Sequence, residues 1–83
     1  MISIKQPMEL VNKAKALREL GEAIADTRKN RNMSIPQLAA KTKIEASILE
    51  QIEQGSYDVE YTKLLSIAKG LDTKFTYILP PLD

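Results

Sequence analysis

The stretch that decides the fold runs from Ser34 to Gly55 and reads SIPQLAAKTKIEASILEQIEQG. Ser34 is a favourable N-cap, and Gln37 stands three residues later, where a capping box places its second partner. These residues predict a helix of two turns, followed by a tight connection. A second helix is predicted for about residues 45–54, because Gly55 can close it and its apolar residues share one face. That face holds Ile48, Leu49 and Ile52.

Upstream of this stretch, apolar residues recur at helical spacing and predict a long amphipathic helix. Gly21 lies inside the pattern, so one long helix and two shorter ones both remain open. Asn30 to Asn32 end the run, because Asn tolerates the left-handed conformation that closes helices. The apolar residues of this run are Met8, Val11, Ala14, Leu17, Leu20 and Ile24.

The remaining residues predict a last helix and two short strands. Asp58 can cap this helix and Gly70 can end it, with Leu64, Leu65, Ile67 and Ala68 on its buried face. Ile2–Lys5 alternates apolar and polar residues, and Lys74–Leu79 is β-branched and aromatic, so both segments predict strands. We therefore expect a mainly α fold with a lengthened first helix and short terminal β-strands, in a single domain over residues 1–83.

The composition excludes several classes of site. The 83 residues include no cysteine and no histidine, which removes disulfides, thiolate metal sites and the commonest catalytic base. We expect no metal, no cofactor and no enzyme activity. No apolar run is long enough to span a membrane, so we expect a cytoplasmic protein without a membrane partner. The net charge is only +1, although Arg28, Lys29 and Arg31 form a basic group.

With its flanks, the stretch 34–55 resembles the helix-turn-helix of the XRE/lambdoid-repressor family. The resemblance covers about residues 20–72, and it implies a five-helix domain with its DNA-binding motif at residues 34–55. It also implies a dimeric transcriptional regulator that binds a palindromic operator in double-stranded DNA, acting as a repressor of its own operon. The residues that carry the resemblance are Arg28, Leu38, Ala39, Ile44, Ile52, Glu53, Gly55, Ile67, Ala68 and Leu71.

The resemblance assigns roles to individual side chains. In this family the outer face of the second motif helix reads base edges, and here that face carries Ala46, Ser47, Glu50 and Gln51. Contacts with phosphates are implied for Ser34, Gln37, Lys41 and Lys43. The alternative is that these are ordinary solvated residues.

Three positions depart from the family pattern. Ile35 stands where the family often has a Gln that helps to clamp a phosphate. Lys43 replaces the usual glycine of the turn and must adopt its geometry at some cost. Glu45 would repel a phosphate, although an acid at the start of a helix is also ordinary capping.

One contact within the chain and one between two copies of it are also expected. The resemblance suggests that Arg28 pairs with Glu53 and links the first helix to the recognition helix. The strand at 74–79 is expected to form the dimer, because a lone strand has unpaired backbone groups that a second copy could satisfy. The alternative is a tail that folds back onto its own monomer. Its interface residues would be Phe75, Tyr77 and Leu79.

The two ends of the chain are most similar to HipB-like antitoxins, which add a C-terminal strand to the helical domain. This similarity leaves a second class of function open. The protein would then be an interaction module that mainly holds a toxin partner, with weak or lost DNA binding. The nearly neutral charge agrees with that alternative.

Overall fold

The computed structural model describes residues 12–74, which form four helices. Helix α1 spans Lys13–Asn30, α2 spans Ile35–Thr42, α3 spans Ala46–Gln54 and α4 spans Tyr61–Gly70. Within these residues there is no β-strand, and no helix is long and apolar enough to cross a membrane. The predicted strand at Ile2–Lys5 and the predicted strand residues 75–79 lie outside the described residues.

Helix α1 runs without a break through Gly21, so the five-helix count is not supported and is corrected to four for residues 12–74. The side chain of Asn12 caps its start by accepting a hydrogen bond from the backbone N–H of Lys15, at 3.1 Å. It ends after Asn30, and Asn32 takes the left-handed conformation that the sequence predicted for this segment, with φ 55°. The glycine does not end the helix, because it serves packing against α3 instead.

Local hydrogen bonds build the two motif helices. Ser34 and Gln37 form the predicted capping box, each side chain accepting from the other's backbone N–H. Lys43 follows α2 in the left-handed conformation, with φ 63°. The hydroxyl of Thr42 donates to the Leu38 carbonyl and accepts from the Ile44 N–H, which stabilises this turn. Gly55, with φ 80°, closes α3.

Helix α4 differs from the expectation at two positions. Its N-cap is Glu60, not Asp58, and no side chain bonds to its first backbone amides. Asp58 instead pairs with Lys13 at the start of α1, at 2.9 Å between Oδ2 and Nζ. Leu65 was predicted to be buried but is 40% exposed, because the core is closed by its neighbours Leu64, Ile67 and Ala68.

The core lies where α3 contacts both α1 and α2, and where α2 contacts α4. Six side chains are almost fully buried in it, and burial of each such side chain stabilises the fold by about 1.5–3 kcal/mol. Helix α3 is therefore anchored on one side along its length. Those six residues are Ile24, Leu38, Leu49, Ile52, Ile67 and Leu71.

Candidate nucleic-acid interface

The outer face of α3 carries an exposed polar row. Leu49 and Ile52 are almost completely buried, so the opposite side of this helix faces solvent. Ser47, Glu50 and Gln51 are exposed there, and Ala46 at the start of the helix is half-buried. The row offers a hydroxyl, a carboxylate and a carboxamide within two turns of helix. These groups can donate to and accept from base edges in a groove.

Ser34 and Gln37 lie at the start of α2, and their acceptor atoms are already engaged. The Gln37 N–H donates to Ser34 Oγ at 3.1 Å, and the Ser34 N–H donates to Gln37 Oε1 at 2.8 Å. The Ser34 hydroxyl hydrogen and the Gln37 side-chain amide hydrogens remain available as donors. Both residues are exposed, so the start of α2 presents donors of the kind that bind phosphate oxygens.

The two lysines expected at phosphates lie in different places. Lys43 is exposed in the turn between α2 and α3, and it has no ion-pair partner within residues 12–74. Lys41 instead lines a cleft of about 420 Å³ between α2 and α4, together with Thr42, Ser66, Lys69 and Gly70. No residue of α3 lines this cleft, so Lys41 does not join the polar row of α3. Lys69 is the other cation of this cleft.

The pair expected between Arg28 and Glu53 is present and links α1 to α3. Arg28 Nε donates to Glu53 Oε2 at 2.7 Å, and Nη2 donates to Oε1 at 3.0 Å. The third guanidinium nitrogen, Nη1, donates to the Met33 carbonyl at 2.8 Å. Only 12% of the Arg28 side chain and 10% of the Glu53 side chain are exposed. The hydrogen bond and charge of Glu53 raise the pKa of Arg28, although burial opposes this effect.

This arrangement holds the exposed polar row of α3 in place. Glu53 belongs to the same helix as Ser47 and Gln51, and Met33 directly precedes the N-cap of α2. A bidentate guanidinium–carboxylate pair has a defined geometry, so it restrains the rotation of α3 relative to α1. The sequence resemblance suggested the pair, but nothing in the sequence indicated the bond to the Met33 carbonyl.

The described residues show no arrangement suited to a metal ion. Within residues 12–74, no group of three or more acidic side chains is placed to hold one. The expected dimer residues Phe75, Tyr77 and Leu79 lie outside the described residues.

Comparison with solved structures shows the same fold in bacterial proteins. The chain is similar to the restriction-modification controller protein C.AhdI from Aeromonas hydrophila, with a TM-score of 0.75 and 22% identity over 76% of this chain and 96% of that one. It is similar to an HTH_3 family transcriptional regulator from Vibrio cholerae, with a TM-score of 0.78 and 25% identity over 81% of this chain and 38% of that one. The chain therefore spans well under half of the Vibrio protein.

A third similar structure is the hypothetical transcription factor NHTF from Neisseria, with a TM-score of 0.76 and 17% identity over 87% of this chain and 83% of that one. No curated protein matches the sequence. The model of the family described as "Helix-turn-helix domain" matches residues 21–79, which include all of α2, α3 and α4. The chain therefore belongs to the XRE-type helix-turn-helix domain family.

Proposed function

We propose that this protein is a sequence-specific DNA-binding transcriptional regulator. The observation that carries the proposal is the exposed polar row on α3, in a helix whose other side is anchored by Leu49 and Ile52. A helix fixed in this way can enter the major groove without losing its packing. The family to which the chain belongs supports this use of the row, and so do the similar structures, which are named as a controller protein and transcription regulators.

Base readout is assigned to the row itself. Gln51 is suited to an adenine edge, because its carboxamide can donate and accept at the same time. Glu50 can accept from the amino group of cytosine, and Ser47 can donate or accept. Ala46 offers a methyl group that can contact thymine. Exposure of the three polar residues supports these assignments.

Contacts with the phosphates of the DNA backbone are assigned to the start of α2 and to the turn between α2 and α3. Ser34 and Gln37 supply neutral donors at the start of α2, and Lys43 supplies a cation at the other end of α2, in the turn that leads to α3. Such contacts set the register of a protein on DNA and carry no sequence information themselves. Lys41 is the weaker member of the proposed set, because it opens onto the cleft between α2 and α4.

The regulator is proposed to act as a homodimer on a palindromic operator, and as a repressor of its own operon. Two-fold symmetry in a protein is matched by palindromy in its site, with half-sites about one DNA turn apart. The proposed interface is the segment 74–79, through Phe75, Tyr77 and Leu79. Leu65 and Tyr61 on the preceding helix support an interface at this end of the chain, because they are the large apolar side chains that α4 leaves exposed.

Selection of bound sites from random duplex DNA tests the proposal. We expect enrichment of symmetric half-sites, with affinity that falls steeply as the salt concentration rises because bound phosphates release counterions. Gln51→Ala should relax the preference at one base pair per half-site, at a cost of about 1–3 kcal/mol for the preferred base. Thr62 is an exposed residue of α4, and Thr62→Ala is a control that should leave the selected sequence unchanged.

The second candidate is an interaction module that holds a toxin-like protein partner. Two observations favour it: the net charge of only +1, and the exposed Tyr61 and Leu65 on α4. The same experiment separates the candidates. A purified protein that shows no preference among duplexes, even at low salt, would contradict the regulator and leave the interaction module.

A further inference from the structure

Helix α1 begins before the part of the chain that the family model matches. The family match begins at residue 21, whereas α1 begins at Lys13, so about two extra helical turns precede the matched region. These turns carry three cations, Lys13, Lys15 and Arg18. All three cations are exposed, and the start of α1 lies beside the loop that follows α3, because Lys13 pairs with Asp58 there.

The three cations differ in what they contact. Lys13 pairs with Asp58 at 2.9 Å, and Lys15 lies 3.7 Å from Glu19 on its own helix. Arg18 is exposed and has neither an ion pair nor a side-chain hydrogen bond within residues 12–74. Of the extension's cations, Arg18 is therefore the one without an ion-pair partner within residues 12–74.

The position of Arg18 is set by Gly55 at the end of α3. A Cβ atom added to Gly55 would lie 2.9 Å from both Cα and Cγ of Arg18, so the arginine stem packs directly on the glycine backbone. Two of the last four carbonyls of α3 accept from backbone amides, because Gly55 N–H donates to Ile52 O and Ser56 N–H donates to Gln51 O. Arg18 is thus held beside the recognition helix without capping it.

The length of α3 relates this position to DNA. Nine residues of helix extend about 13 Å, which is close to the major-groove width of about 12 Å. When the first two turns of such a helix read base edges, its far end lies near the phosphates that border the groove. A guanidinium group at that end matches a phosphate in both charge and geometry.

We propose that Arg18 binds a backbone phosphate at the edge of the operator half-site, adding a contact from outside the matched family domain. This inference rests on the proposed DNA-binding function. It assigns the extended part of α1 a role in affinity and none in sequence choice.

The test is the salt dependence of binding to the selected duplex by wild-type, R18Q and K15Q proteins. Loss of one phosphate contact reduces the magnitude of the negative slope of log K against log salt by about 0.9. We expect that reduction for R18Q, together with an unchanged selected sequence and an unchanged thermal midpoint. K15Q is the matched control, because it removes an exposed cation of the same helix that already faces Glu19, and it should keep the wild-type slope.

Two results would overturn the proposal while leaving the regulator intact. One is an R18Q protein that binds the selected duplex with the same affinity and the same salt slope as the wild-type protein. The other is an R18Q protein whose selected sequence changes, since a phosphate contact cannot cause that. A wild-type protein that binds no duplex specifically would instead overturn the proposed function itself, so the two failures are distinguishable.

Discussion

At the scale of single residues, two glycines show how closely the helices of this protein approach each other. A Cβ atom added to Gly21 would come within 3.0 Å of the backbone carbonyl oxygens of Ile52 and Glu53. Those atoms belong to the end of α3 and cannot move independently of it. A Cβ on Gly70 would meet Thr42 Cγ2 at 2.7 Å and Leu38 Cδ1 at 3.1 Å, which are side-chain and not backbone atoms.

The first prediction compares these two positions. Gly21→Ala should destabilise the protein by about 1–3 kcal/mol, because the overlap is with backbone and forces α1 away from α3. Helix propensity alone would predict the opposite sign, a gain of about 1 kcal/mol for alanine inside a helix. Urea unfolding of both variants measures the difference, and Gly70→Ala should lose less stability than Gly21→Ala. A Gly21→Ala protein as stable as wild type would contradict the close approach of the two helices.

At the scale of secondary-structure elements, the contact between α1 and α3 decides how the candidate interface is presented. Arg28 bonds to Glu53 in α3 and to the Met33 carbonyl ahead of α2, so one guanidinium group links three segments of the chain. The exposed pair between Lys13 and Asp58 links α1 to the loop after α3, but its side chains are 71% and 66% exposed. Water screens that second pair, so its contribution is expected to be small.

The second prediction compares the two pairs by removing the carboxylate of each. Glu53→Ala should cost about 3 kcal/mol, because it leaves the mostly buried charge of Arg28 without its carboxylate. Asp58→Ala, the matched control, should change stability by at most about 0.5 kcal/mol. The midpoint of thermal unfolding gives the ranking, and urea titrations give the free energies. An unchanged midpoint for Glu53→Ala would rule out a structural role for the pair.

At the scale of the whole molecule, the proposed dimer depends on which surface two copies of the chain share. Residues 12–74 bury a small core, and exposed Leu65 and Tyr61 lie on the helix that leads to segment 74–79. A small domain gains stability when it buries such surface in a dimer. The proposed interface at Phe75, Tyr77 and Leu79 would also fix the distance between two copies of α3.

The third prediction tests this interface. A protein that ends at Thr73 should be monomeric by light scattering, and it should lose affinity for a two-half-site operator because each half-site then binds separately. Its binding to a single half-site should stay close to that of the full chain at equal protomer concentration. A second variant, Leu65→Asp in the full chain, tests the same interface while segment 74–79 stays present. A truncated protein that stays dimeric would place the interface elsewhere, most simply on lengthened α1.

The sequence by itself determined the features that depend on neighbours a few residues away. The capping box at Ser34 and Gln37, the turn at Lys43 and the end of α3 at Gly55 are all where the residues predicted them. Each of these features is made by hydrogen bonds or backbone preferences within about one helical turn, so the order of residues is enough to specify it. The exposed row on α3 follows for the same reason, from the spacing of Leu49 and Ile52.

Only the tertiary structure decided the features that depend on distant segments. Gly21 could have ended a helix, but it continues one because α3 packs against it. Asp58 could have capped α4, but it faces Lys13 across the fold, and Leu65 stays exposed because the core closes without it. Arg18 lies beside the end of α3 for the same kind of reason, because it packs on Gly55, a residue far away in the chain. Such contacts depend on how whole helices cross, which no local spacing of residues can specify.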